Sequence, residues 1–156
     1  MKLNLLCVGR QTIPFLREGC DEYARRLKRY LPLTINEIKE HKSGRKQDLA
    51  RIISTEGKEL EQRIGKGGFI IALDQRGKGL SSEKLAGLMN EHMVRGVPEW
   101  TLIIGGPYGL SDELRKRADL VLSLSPMTLT HQMARMLLLE QLYRCCAIIR
   151  NEPYHH

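Results

Sequence analysis

The spacing of apolar residues changes repeatedly along the chain, and each change marks an element. Residues 2–9 are β-rich and stop at Gly9, as a buried first strand does. Pro14 can open a helix that runs to about Tyr30, with Leu16, Tyr23, Leu27 and Leu31 at helical spacing before Pro32 breaks it. Residues 33–41 alternate between apolar and polar, which predicts a half-exposed strand. A second helix is predicted over 47–64 from Leu49, Ile52, Ile53, Leu60 and Ile64, despite Gly57. Residues 69–74 read as a central strand, 75–79 as a loop, and Ser81 or Ser82 as the N-cap of a helix to about Arg95. Trp100 to Ile104 forms the next strand, and Gly105 to Gly109 its exit loop. Ser111 caps a short helix ending near Ala118, and residues 120–124 are the last strand. After the loop 125–130, a long helix spans His131 to about Asn151.

Strands and helices alternate throughout. That order predicts an α/β fold, with a mostly parallel sheet sandwiched by helices. No linker, repeat or low-complexity tract interrupts it, so residues 1–156 are expected to form one domain. Hydrophobic residues make up 42% of the chain, enough to build a core without disulfide or metal support.

Ligands of an open parallel sheet bind beyond the carboxyl ends of its strands. Three such ends are unusual here: Gln75-Arg76-Gly77-Lys78-Gly79, Gly105-Gly106-Pro107-Tyr108-Gly109, and the hydroxyl-rich run Ser125 to Thr130. One glycine-rich loop would be explained by tight turning alone, whereas three at consecutive strand ends point to a shared pocket. Phosphate-loop and dinucleotide fingerprints are absent, and Asp112 and Glu113 already occupy the positive end of the helix after Gly109. A ligand with a cationic centre and an adenine ring suits these loops better. His41, His92, His131, His155 and His156 are scattered, and no metal-binding spacing or nucleophile elbow occurs. No metal is therefore expected.

The last helix is apolar around most of its circumference, from Met133 through Leu142 to Ile149. Such a helix is buried on more than one face. A central place in the monomer is one explanation, and packing across a symmetric dimer is the one preferred. After it come Asn151-Glu152-Pro153-Tyr154-His155, where a phenol beside an imidazole could orient a base and move a proton, or simply fray.

Charge adds one constraint. With 25 basic and 18 acidic residues the net charge is +7, which makes a polyanionic partner plausible. The loop Lys42-Ser43-Gly44-Arg45-Lys46, with Arg25, Arg26, Lys28 and Arg29, could supply phosphate contacts or plain solvation. The apolar run after Lys2 is too short for a signal peptide, and no stretch reaches the ~18 apolar residues of a membrane span. Cys7, Cys20, Cys145 and Cys146 form no C-x-x-C pair and read as buried thiols of a reducing, cytoplasmic setting.

The run Leu102-Ile103-Ile104-Gly105-Gly106-Pro107-Tyr108-Gly109-Leu110-Ser111 resembles the glycine-rich loop of SPOUT methyltransferases, the α/β-knot superfamily. Ser123-Leu124-Ser125-Pro126-Met127-Thr128-Leu129-Thr130-His131 is similar to their second cofactor loop, followed by Arg135 and the helix Glu140-Gln141-Leu142-Tyr143-Arg144. The opening strand and the closing Asn151-Glu152-Pro153-Tyr154-His155 resemble, within that superfamily, the bacterial ribosomal large subunit pseudouridine N3-methyltransferases. This resemblance implies a C-terminal trefoil knot and a homodimer. It implies S-adenosylmethionine held by Leu73, Gly105, Leu124, Ser125, Pro126, Met127, Thr128 and Leu129, largely through backbone. The substrate it implies is a pseudouridine in helix 69 of 23S rRNA in the assembled ribosome.

On that basis His155 is expected to take the N3 proton, oriented by Tyr154, and Arg135, Arg144, Arg45 and Lys46 to contact RNA. For Arg135 and Arg144, bridging a dimer or lying on a wet stripe are open alternatives. A non-enzymatic RNA-binding or ribosome-assembly protein is the competing reading, and a nucleotide-binding oxidoreductase a weaker one.

Overall fold

Side chains along each strand alternate between two separate cores, one on either face of a single sheet. The computed structural model describes residues 1–42 and 45–155. Its elements are β1 (Lys2–Val8), α1 (Pro14–Leu27), β2 (Leu33–Ile38), α2 (Leu49–Glu61), β3 (Phe69–Gly79), α3 (Ser82–Val94), β4 (Glu99–Ile104), α4 (Asp112–Arg117), β5 (Leu120–Ser123) and α5 (His131–Ile149). The strands lie in the order β2-β1-β4-β3-β5, and every pairing is parallel. Leu3, Leu5 and Cys7 of β1 join Trp100, Leu102 and Ile104 of β4 in the core that α1, α3 and α5 cover. Leu6, Val8 and Ile103 point the other way, to Leu60 of α2 and Leu114 of α4. The expected α/β sandwich is thus the fold observed.

Local sequence sets most boundaries. Pro14 starts α1 at a position where a missing N–H costs nothing. The hydroxyls of Ser81, Ser111 and Thr130 accept from Lys84, Leu114 and Met133 N–H, capping α3, α4 and α5. Gly57 sits where α2 meets α4, and a Cβ there would come 2.8 Å from Ser111 Oγ. Beyond α5, Asn151 adopts φ 54°, and Asn151 and Glu152 N–H groups donate to the carbonyls of Ile148 and Ala147. This Schellman closure ends the helix two residues earlier than its apolar pattern suggests and folds the tail back.

Two expectations need correction. β2 ends at Ile38, because beyond it the chain leaves β1 and only Gly9 N–H still reaches the Ile38 carbonyl. The segment 75–79 belongs to β3, whose Lys78 and Gly79 pair with Leu122 and Ser123. Leu122 is already matched by Leu73, so β3 engages the same β5 residue twice. Between the two pairings, Gly77 lies so close to β5 that a Cβ would stand 2.6 Å from the Val121 carbonyl oxygen. Part of the apolar surface of α5 is used within the chain. The helix lies between α1 and α3, and none of its residues is fully exposed.

Candidate active site

Residues 73–76 of β3 and the carboxyl ends of β4 and β5 meet around one cavity of about 390 Å³. Leu73, Gly105, Leu124, Ser125, Met127, Thr128 and Leu129 all line it, so the three glycine- and hydroxyl-rich loops converge as expected. Pro126 is absent from this lining and is exposed. Asp74, Arg115, His131 and Tyr108 also border the cavity, and none of them was singled out as a site residue from sequence. Asp74 at the end of a central strand motif, Tyr108 in the glycine-rich loop and His131 after the hydroxyl-rich run carried a readable signal, whereas Arg115 carried none.

Hydroxyls shape the wall. Ser123 Oγ donates to the Ser125 carbonyl at 3.0 Å, and Ser125 Oγ accepts from Met127 N–H at 3.0 Å. Thr128 Oγ1 donates to Gln75 Oε1 at 2.9 Å, tying the third loop to the first. On the middle loop, a Cβ on Gly105 would lie 2.7 Å from the Gly109 carbonyl carbon, and one on Gly106 2.9 Å from Val8. Glycine here is a requirement of close packing. Beneath Gly106 lies Glu56, 2% exposed, whose carboxylate accepts from His41 N–H and whose pKa is raised by burial.

The charged groups of the wall are paired. Asp74 accepts from Arg76 through backbone and guanidinium and from Arg115 Nη1 at 3.0 Å, and these bonds hold its pKa down to about 2. Arg115 also donates to the Leu110 carbonyl at 2.7 Å and to Asp112, fixing the glycine loop to β3. Both guanidiniums are thereby committed, and the wall offers little to a triphosphate. Burial lowers the His131 pKa below its ordinary value, with Nε2 3.9 Å from Glu40 Oε2. A cavity of this size lies within the ~300–1,000 Å³ range of small-molecule sites. Its floor of backbone and glycine fits an adenine-bearing ligand held by main-chain groups. Among the described residues no cluster of metal-ligating side chains occurs.

Tyr154 lies elsewhere. Its hydroxyl donates to Glu140 Oε1 at 3.0 Å and sits 3.3 Å from Tyr23 Oη, and burial with these bonds raises its pKa. The ring meets Tyr143 edge-on at 4.6 Å, and Arg144 stacks over it at 4.7 Å while bonded to Glu140. His155 ends the 3₁₀ turn Pro153–His155, and its side chain lies outside the described residues, as do Ser43, Gly44 and His156. No described tail residue lines the cavity. His131 and Glu140 are nine residues apart on α5, about 14 Å along the axis and half a turn around it.

The expectation for Arg135 is corrected outright. It is 2% exposed, donates to Glu37 and to the Gly9 carbonyl, and ties α5 to the ends of β1 and β2. A guanidinium so enclosed reaches neither RNA nor a second subunit. Arg45 and Lys46 are exposed, on the described side of the basic loop. Arg25 and Arg26 are both paired with Glu22.

The sequence profile described as "Predicted SPOUT methyltransferase" matches residues 1–155. The chain belongs to the SPOUT methyltransferase family. At 58% identity it is similar to the ribosomal RNA large subunit methyltransferase H of Syntrophotalea carbinolica, over all of this chain and 99% of that one. The protein of the same name from Trichlorobacter lovleyi is 45% identical over the full length of both chains. Among solved structures, the "Probable Methyltransferase from Bordetella pertussis Tohama I" aligns with a TM-score of 0.56 at 14% identity, covering 93% of this chain and 94% of that one. A Legionella pneumophila protein solved with the bound cofactor SAM aligns at TM-score 0.51 and 18% identity, over 91% of this chain and 65% of its own. These two likenesses concern the SPOUT fold, and within it the cavity lies at the strand ends.

Proposed function

We propose that the chain transfers the methyl group of S-adenosylmethionine to N3 of a pseudouridine in helix 69 of 23S rRNA, within the assembled ribosome. The observation that carries this reading is the cavity built by residues 73–76 of β3 and the loops after β4 and β5, in a chain whose relatives bear ribosomal RNA methyltransferase names. The close of the chain, Pro153-Tyr154-His155, supports the finer substrate assignment through its resemblance to the pseudouridine N3-methyltransferases. The site of action is the cytoplasm, where ribosomes are.

S-adenosylmethionine, when bound, supplies a methyl group on a sulfonium centre. Leu73, Gly105, Leu124, Ser125, Met127, Thr128 and Leu129 would hold the donor through backbone and apolar contact, with Arg115 and Asp74 keeping the loops in place. N3 of the acceptor base carries a proton at neutral pH, and His155 accepts it. A base so placed contributes roughly 10²–10⁴ in rate, and alignment of the reactants contributes further. Tyr154 acts by anchoring the turn: its hydroxyl is bonded to Glu140, so it fixes where His155 begins.

The working unit is a homodimer in which one protomer's tail completes its partner's cavity. The separation of tail and cavity along and around α5 supports this, as do the half-buried apolar residues on that helix. Arg144, Arg45 and Lys46 contact RNA, with Arg144 presented by its stack on Tyr154. A C-terminal trefoil knot belongs to this reading through membership of the SPOUT family. Calorimetry with S-adenosylmethionine and NAD, followed by methylation of ribosomes against free rRNA, tests the reading. Saturable binding of S-adenosylmethionine alone and methyl transfer to ribosomes are expected. Absence of donor binding would refute it.

A further inference from the structure

Four of the five tyrosines, Tyr23, Tyr30, Tyr143 and Tyr154, form one ring cluster around the tail. Tyr108 stands apart. Among the described residues its ring meets no other ring or guanidinium, yet it is 40% exposed at the edge of the cavity. Facing the same cavity from the loop after β5 is Met127, 76% exposed. Few large apolar side chains of this molecule are so open to solvent, and two of them share this mouth.

Neither sits on a loose loop. Tyr108 occupies the third position of a four-residue turn closed by Gly109 N–H to the Gly106 carbonyl at 3.0 Å. Pro107 precedes it, and Gly109 follows at φ 84°. Arg115 clamps the next carbonyl, that of Leu110. The Met127 backbone is held by Ser125 Oγ, and its neighbour Thr128 by Gln75. Apolar surface exposed on rigid supports at a cavity mouth is what a planar ligand covers.

We infer that Tyr108 and Met127 form the clamp that receives the acceptor base, the ring stacking on one face and the thioether closing on the other. Bases of single-stranded RNA are read when splayed out and stacked on aromatic side chains, and a base must leave its stack for chemistry at its edge. Methionine sulfur adds a polarisable, adaptable contact. Tyr108 is thus a substrate-binding residue that takes no part in proton transfer. This inference rests on the proposed methyl transfer to RNA.

The test uses the full-length protein with Tyr108→Ala, Tyr108→Phe, Tyr108→Trp and Met127→Ala. Donor affinity is measured by calorimetry with S-adenosylmethionine, and kcat/KM for ribosomes at saturating donor. Tyr108→Ala is expected to lower kcat/KM by roughly 5- to 150-fold, mainly through KM, the span of base–aromatic stacking. Donor Kd stays within about twofold, and Phe or Trp at this position restores most of the loss. Met127→Ala is expected to lower kcat/KM for ribosomes by a smaller factor than Tyr108→Ala, and a value unchanged from wild type removes the thioether from the clamp. A Tyr108→Ala protein with unchanged kcat/KM overturns the clamp. So does a loss that appears in donor affinity, which would place the donor's adenine under the ring. Failure of the wild-type protein itself to bind donor or methylate ribosomes would refute the methyl-transfer reading instead, before any variant is compared.

Discussion

The two ends of α5 are built from different chemistry. At its start, around His131, glycines, backbone and short hydroxyl bonds surround an open cavity. Past its midpoint, around Glu140 and Arg144, aromatic rings and paired charges pack closely on one another. One end can receive a small molecule; the other can hold a short peptide turn still. The proposed methyl transfer uses both, and within one chain the helix keeps them apart. In the proposed dimer, the tail of one copy therefore meets the cavity of the other.

Either end can be disabled separately, and the largest effect is expected in the cavity. Gly105→Val places side-chain atoms where a Cβ already meets the Gly109 carbonyl carbon at 2.7 Å. It should abolish S-adenosylmethionine binding in calorimetry while far-ultraviolet dichroism stays native. At the other end, His155→Ala should slow single-turnover methylation by roughly 10²–10⁴, with donor affinity unchanged. An unchanged rate would remove His155 from the mechanism.

Anchoring of the tail gives an intermediate effect. Glu140→Ala removes the acceptor shared by Tyr154 and Arg144 and should loosen the turn by ~1.5–3 kcal/mol, the worth of a hydrogen bond to a charged group. Amide exchange in residues 151–155 should accelerate accordingly, and the methylation rate should fall without a change in donor Kd. The smallest effect is electrostatic. Asp74→Asn should cost about 1 kcal/mol of stability near neutral pH, because its partner Arg76 is largely exposed and screened. Folding lowers the Asp74 pKa from 3.8 to about 2, chiefly through its bonds to Arg76. The stability the wild type gains is therefore full above the ordinary carboxylate range and fades as pH falls toward 2. Urea denaturation of both proteins across that range checks it.

The cavity end is the more legible in sequence. Glycines and hydroxyls at strand ends are local signals, and Ser81, Ser111 and Thr130 cap the helices that local pattern assigns to them. Residues 75–79 read as a loop because what makes them a strand is pairing to β5, more than forty residues later. Arg135 looks like a surface cation in a helix, and only the arrival of Glu37 and the Gly9 carbonyl from distant strands turns it into a buried tie. Burial of Glu56 under Gly106 has the same origin. Tyr108 is plain within its glycine-rich motif, yet its solitude at the cavity mouth is a property of three dimensions. The ring cluster at the tail depends on α1 and α5 lying side by side, which spacing alone does not specify.

The most direct test of the two-chain site is complementation between two inactive proteins. His155→Ala keeps a sound cavity, and Gly105→Val keeps a sound tail. Mixed in equal amounts and allowed to exchange subunits, half the dimers would be hybrids, each with one complete site of two. Recovery of about one quarter of wild-type methylation is predicted, since a symmetric dimer presents two equivalent sites. Hybrids that form, as seen by native mass spectrometry, and yet methylate no ribosomes would contradict a site shared between two chains.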